Sequence, residues 1–294
     1  SRGTGSIAAG FGGTLQGMSF HLDAAHFRSS GTSAINPAAS PVVNPDRDGY
    51  RNDSLAASVR YRMSPTLSMG ASAFEAKGDL DYDNAFARSA AQVQTARTRV
   101  RTASAWVDAA PTPAMTLRLQ LAQGLDQSDN FTDGGASSRF RTRTDQASLQ
   151  AGYTLGATGN VSAVIEHLEE AVDASTDYVQ KRRTVDSALI QYRGEWGLHQ
   201  WQASARNDRY SDFGQAGTGY LGYGWAFAPG WRITGSIASA FTAPTFNQLY
   251  FPNFGNPALQ PERARSVEAG IQYGTPRDQL RLQAFSTDYR DLIS

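Results

Sequence analysis

The residues best suited to chemistry in this chain are carboxylates in two acidic stretches. The first reads Asn44-Pro45-Asp46-Arg47-Asp48-Gly49-Tyr50, and the second places Asp79, Asp81 and Asp83 two residues apart before Asn84. Carboxylates at this spacing converge on a hard cation when the chain turns, and Gly49 permits a tight turn. Calcium takes about six to eight oxygen ligands, so one stretch is insufficient and the two would have to cooperate. The same residues also suit solvated turns, since Asp and Gly favour turns without any metal.

Other reactive patterns fail on their context. Gly217, Gly219 and Gly222 spell G-x-G-x-x-G, but a nucleotide-binding loop must lead into a helix, and these glycines lead into the strand-like run from Tyr220 to Phe227. His21, His26, His167 and His199 share no close ligand spacing, no G-x-S-x-G occurs, and cysteine is absent, which excludes thiolate metal sites and disulfides. Asn52, Asn130 and Asn160 open N-x-S/T triplets, which matter only in a glycosylating pathway. Nothing here specifies a catalytic centre or a catalytic cofactor, and the sequence reads as that of a non-enzyme.

The elements that must carry the acidic stretches show a period of two. Leu55, Ala57, Val59, Tyr61 and Met63 form one face, and Ala56, Ser58, Arg60 and Arg62 the other. The alternation recurs in Leu117, Leu119 and Leu121, in Ala147 to Leu155, in Trp201, Ala203 and Ala205, and in Leu280 and Leu282. Fourteen such segments are expected, most near the ~10 residues of a membrane barrel strand. Short links near 12–17, 63–66, 110–114, 156–160, 197–198, 228–230 and 274–277 alternate with long polar loops at 30–52, 78–97, 127–142, 170–183, 210–217 and 242–263. Outer-membrane barrels have this asymmetry, with short turns on the periplasmic side and long loops outside. By this parity both acidic stretches emerge at the external end, on neighbouring hairpins.

Trp106, Trp196, Trp201, Trp225 and Trp231 lie near short links, as do Tyr61, Tyr153, Tyr192, Tyr223 and Tyr273. Amphipathic rings favour the membrane interface, so an aromatic girdle is expected at that end. A soluble β-sandwich would also alternate, but its core face needs large interdigitating side chains. Here the apolar face is lean and the opposite face carries Arg, Gln and Asp. No run of about 18 apolar residues suggests a membrane helix. Lys and Arg together number 27, as do Asp and Glu, so the balance gives no reason to expect a nucleic-acid partner.

One long connection adds a more specific signal. Ala243, Pro244, Leu249 and Tyr250 follow A-P-x-x-x-x-L-Y, and Gly255, Asn256, Pro257, Leu259, Pro261 and Glu262 follow G-N-P-x-L-x-P-E. This pair of motifs resembles a signature of TonB-dependent outer-membrane receptors. The segment Ala203 to Gly214, the run Gly224-Trp-Ala-Phe, Gly230 and Tyr289-Arg-Asp-Leu-Ile are further similar to the cobalamin receptors of that family.

The resemblance implies an all-β fold, a transmembrane antiparallel up-and-down barrel, of which residues 1–294 form a partial barrel domain. Such transporters have about 22 strands around a plug, so the plug and last strands are expected outside this chain. It implies a bacterial outer-membrane location and active uptake, with TonB acting through the plug and the ligand most like cobalamin. Siderophore or haem receptors share much of the signature. More distant alternatives are a passive porin and a secreted β-rich binding protein.

Cobalamin receptors bind calcium through external-loop aspartates, one pair lying in a D-x-D-G stretch that Asp46 and Asp48 match. Asp81 and Asp83 match the second loop less closely, and the choice between them stays open. External-loop aromatics and amides, namely Tyr50, Asn84, Phe246, Asn247 and Tyr250, are candidate ligand contacts, and each also suits loop packing.

Overall fold

The computed structural model describes residues 3–33, 35–36, 40, 42–275 and 277–293. Its strands are β1 (Thr4–Leu15), β2 (Met18–Ser29), β3 (Tyr50–Ser64), β4 (Leu67–Asp81), β5 (Gln94–Thr112), β6 (Met115–Thr132) and β7 (Gly135–Thr154). Next in the chain come β8 (Asn160–Ala174), β9 (Arg182–Trp196), β10 (His199–Tyr210), β11 (Gly214–Ala228), β12 (Trp231–Thr242), β13 (Glu262–Gly274) and β14 (Gln279–Arg290), with one short helix, α1 (Phe246–Tyr250). All fourteen strands join one sheet in chain order, from β1 to β14. Pairing is antiparallel from β1 to β4 and from β9 to β14, as an up-and-down sheet requires.

Packing divides the residues into two units. One comprises Ser1–Val107, Gln120–Gln146 and Glu170–Arg182, and the other Asp108–Leu119, Ala147–Glu169 and Arg183–Ser294. In the first, Leu55, Val59, Tyr61 and Met63 are exposed although apolar; in the second, so are Ile190, Ile237, Val267 and Leu282. The buried apolar residues cluster instead beside long connections: Val43, Ala96, Leu125, Val172 and Tyr178 in the first unit, Val185, Ala216, Phe246 and Leu249 in the second. The opposite face is tied by polar pairs. In the second unit, Arg118 Nε donates to Asp108 at 2.6 Å, and the Arg206 guanidinium donates to Glu166 at 3.1 Å, to Ser187 at 2.9 Å and to Asp208 at 2.8 Å. An exposed apolar face behind a hydrogen-bonded polar one suits strands whose outer solvent is hydrocarbon.

Two expected loops are corrected by the structure. Residues 127–142 are strand, apart from a two-residue turn at Asp133 and Gly134, whose φ angles of 51° and 78° are those of a type I′ hairpin. The loop expected at 210–217 shrinks to 211–213, between Tyr210 and Gly214. Strand lengths run from 12 to 20 residues, longer than the ten or so expected. Polar residues such as Gln127, Ser128, Asp129 and Asn130 lack apolar alternation because a strand that projects beyond hydrocarbon meets water on both faces. The short link near 274–277 is present, with residue 276 outside the described residues.

Several of the aromatic residues expected near short links make contacts there. Trp201 and Tyr223 lie 4.5 Å apart and Trp231 and Tyr273 4.7 Å apart, and Tyr192 Oη donates to the Thr158 carbonyl at 2.8 Å. Trp106 departs from the pattern. Its ring lies over Gly70, where a Cβ would meet it at 2.5 Å. It alternates in phase with Ser104, whose hydroxyl bonds Ser72 at 2.9 Å on the polar face.

Candidate functional site

In the first unit, Gly31 adopts φ 59° directly against the Asp48 carbonyl, which brings the two ends of the connection between β2 and β3 together; a Cβ there would sit 1.7 Å from that oxygen. Val43, 1% exposed, anchors the loop. Gly49 N donates to the Arg47 carbonyl at 2.9 Å, and Asp81 N donates to the Gly49 carbonyl at 2.9 Å, which joins this loop to the end of β4. Across that junction, Asp83 Oδ2 accepts from Ser33 Oγ at 2.9 Å and from Ile35 N at 3.0 Å. Asn44 Nδ2 donates to Asp46 Oδ2 at 3.1 Å.

The consequence is a three-carboxylate group. One oxygen each of Asp46, Asp48 and Asp83 lies within 4.8 Å of the other two. Two unit charges about 5 Å apart repel by roughly 1 kcal/mol in bulk water and about 3 kcal/mol at an effective dielectric of 20. A hard cation would relieve that repulsion, and the all-oxygen donor set fits calcium in type. Three carboxylates supply fewer than calcium's usual ligands, so loop carbonyls or water would complete the shell.

Asp81 and Asp79 are placed otherwise. Asp81 closes β4 with its carboxylate beside Gly49, where a Cβ would meet Oδ2 at 3.0 Å. Asp79 lies within β4 and accepts from Arg51 Nη2 at 2.8 Å. Tyr50 begins β3, exposed, with its ring 6.0 Å from that of Phe27. Asn84 Oδ1 accepts from Phe86 N at 2.9 Å and so shapes its own turn.

In the second unit, the signature segment docks on a buried ion pair. Arg183 Nε donates to Asp212 Oδ2 at 2.8 Å, with the two side chains only 4% and 2% exposed. Arg183 Nη2 also donates to the Pro244 carbonyl at 3.0 Å, and its guanidinium lies 5.1 Å from the Phe246 ring centroid and 5.3 Å from that of Phe213. Pro244 is fully buried, and Leu249 is 4% exposed.

Thr245 caps α1 in a reciprocal capping box: its hydroxyl accepts from Gln248 N at 3.2 Å, while Gln248 Oε1 accepts from Thr245 N at 2.8 Å. Gly255 N and Asn256 N return to the Phe251 and Gln248 carbonyls at 2.7 and 2.8 Å. Asp212 Oδ1 has no hydrogen-bond partner at standard geometry among the described residues. The Tyr250 phenol lies nearby; burial first, and then the Asp212 carboxylate, push its pKa above 10.0.

Of the candidate contacts here, Phe246 is buried under Arg183, Tyr250 is half-buried, and Asn247 is exposed. Sequence reasoning missed Arg183 and Asp212. They are 29 residues apart, and Arg183 reaches Pro244 across 61, so no local spacing announces them. The signal present was chemical: an Arg at the mouth of a strand and an Asp between aromatics.

A single antiparallel sheet with an apolar outer face, short turns and long structured connections defines a membrane β-barrel receptor class. The chain belongs to the family described as TonB dependent receptor-like, beta-barrel, which matches residues 2–294. It is similar to the vitamin B12 transporter BtuB of Photobacterium profundum, 23% identical over 270 residues that cover 91% of this chain and 42% of that protein. The same transporter of Vibrio vulnificus is 27% identical over 259 residues, 84% of this chain and 41% of that protein. In structure it resembles a mutant of the ferric enterobactin receptor PfeA from Pseudomonas aeruginosa, with a TM-score of 0.83 and 15% identity over 98% of this chain and 51% of that one. The chain thus spans about two fifths of the length of the curated relatives it matches.

Proposed function

We propose that this chain forms part of the wall of a bacterial outer-membrane receptor that takes up a scarce small ligand, cobalamin, with energy delivered by TonB through a plug. In this reading the plug and the strands completing the barrel lie outside residues 1–294. The external connections capture ligand, calcium stiffens two of them, and no covalent chemistry is required.

The observation that carries the reading is the convergence of Asp46, Asp48 and Asp83 from two loops. It is supported by the similarity over most of the chain to two vitamin B12 transporters. Calcium would lie between Asp46, Asp48 and Asp83, and Asp81 could join only by turning from Gly49. Tyr50, Asn84, Asn247 and Tyr250 remain proposed ligand contacts, and Phe246 would act by holding the segment that presents the last two.

The second reading, uptake of a siderophore or haem, rests on the signature segment, which those receptors share. Equilibrium binding to the complete receptor separates the two. Cobalamin should bind with calcium present, and Asp46→Ala/Asp48→Ala should lose the calcium dependence. Tight binding of a ferric siderophore or haem, with none of cobalamin, would overturn the first reading. Equal calcium affinity in the double variant would remove the metal from it.

A further inference from the structure

On the first unit, the apolar face ends abruptly toward the long connections. Along β3 it runs from Met63 to Leu55, which at about 3.3 Å per residue is about 26 Å of strand. With the usual tilt that nearly fills the ~25 Å apolar band of such barrels. The next residues in phase are Asp53 and Arg51. On β4, Met69, Ala71 and Ala73 give way to Glu75, Lys77 and Asp79; on β5, Val107, Ala105 and Ala103 give way to Arg101, Arg99 and Arg97. Leu121 on β6 is followed in phase by Gln123. Register places the residues of β2, β3 and β4 at one level, with Leu55 opposite both Ala24 and Glu75.

The charged residues form a connected belt. His26 Nδ1 lies 2.6 Å from Asp53, Arg51 donates to Asp79 at 2.8 Å, and Arg99 Nε donates to Glu75 at 2.9 Å. Arg101 donates to Gln123 at 3.2 Å, Gln123 donates to Asp145 at 2.8 Å, and Arg143 lies 2.7 Å from Asp145.

The belt is unbalanced. From β2 to β7 this face carries Arg28, Arg51, Lys77, Arg97, Arg99, Arg101, Arg139, Arg141 and Arg143 against Asp53, Glu75, Asp79, Asp81, Asp129 and Asp145. Arg28 and Arg51 stand directly opposite each other, an arrangement that like charges disfavour. Arg28, Arg101 and Arg141 make no ion pair with another described residue.

We infer that this belt is a docking surface for the phosphate groups of membrane lipid headgroups, seated at the level where the apolar band ends. Arginine's planar fork matches phosphate oxygens, and the excess cations lie at headgroup depth. The carboxylates and Gln123 hold the guanidinium groups in place. The inference rests on the membrane-spanning reading above.

The test uses the complete receptor in bilayers containing either a diphosphorylated glycolipid or the same glycolipid after phosphatase treatment, with retained lipid measured by mass spectrometry. The phosphorylated form should be retained preferentially. Arg101→Gln/Arg141→Gln should weaken retention about twenty-five-fold, taking a factor of about five for each cation at an anionic surface. Arg101→Lys/Arg141→Lys should keep most of it.

Equal retention of both glycolipids by the unaltered receptor would overturn the inference, as would full displacement by inorganic phosphate, which would mark an adventitious ion only. Quenching of tryptophan fluorescence by brominated lipid tests the membrane reading separately. Quenching without a phosphate preference would sink the belt alone, and absence of quenching would sink the reading on which it rests.

Discussion

A glycine and a phenol show what single residues contribute. Gly31 leaves no space for a side chain, because the Asp48 carbonyl occupies the position of its Cβ. Gly31→Ala should therefore displace the Asp46-Asp48 stretch and lower calcium affinity without touching a carboxylate, as a calcium titration would register. Asp83→Ala should cost more calcium affinity than Asp81→Ala, and the opposite order would transfer the second-loop ligand to Asp81.

The Tyr250 phenol has its pKa raised above the ordinary value, so its neutral form is favoured in the docked segment. That contribution is present below pH 10.0 and is lost as the pH rises through the higher folded value. Burial raises the Tyr178 phenol as well, so tyrosinate absorbance should show two phenols ionising late, and Tyr250→Phe should remove one of them. The acidic pattern was readable in D-x-D-G, but which second-loop carboxylate completes it was not. The choice depends on Ser33 and Ile35, some 50 residues away, holding Asp83 in place.

Among the elements, the connection 243–261 behaves as a small core fastened by one ion pair. Arg183→Met would strand the Asp212 carboxylate, at a cost of about 3–5 kcal/mol, whereas Arg183→Met/Asp212→Leu should recover most of that loss. The chain has no cysteine, so a spin label at Phe254→Cys, a site 85% exposed, can report the mobility of this connection. It should be slow in the unaltered chain and fast in the single variant. Thr245→Ala removes the cap of α1 and should cost about 1 kcal/mol.

The strands were legible wherever one face is apolar, as from Leu55 to Met63. They were illegible where neither face is, as from Gln127 to Asn130. There the Asp133-Gly134 pair, a strong hairpin signal, was the residue-level clue to the turn.

In each unit, large apolar residues of the strands lie exposed on one face, so stability depends on the surrounding solvent. Ile237, 54% exposed, tests this: Ile237→Arg should destabilise the lipid-embedded receptor by roughly 2–4 kcal/mol if the site lies near mid-bilayer. Denaturant unfolding from vesicles would measure it, and an unchanged midpoint would contradict the outward assignment. Residues 1–294 alone, with β1 and β14 as sheet ends, should give no stable conductance in a planar bilayer. Each open edge would leave backbone groups without partners in hydrocarbon. The strand order carries a consequence for assembly as well. Every strand neighbours the one made just before it, so the search for partners is always short. Replacing a two-residue turn by a connection of about twenty residues, such as 30–49, adds only ~2 kcal/mol of closure entropy. The sheet can therefore grow by successive addition at one end, in the order of synthesis, and lengthening an external connection to recognise a new ligand need not impede its folding.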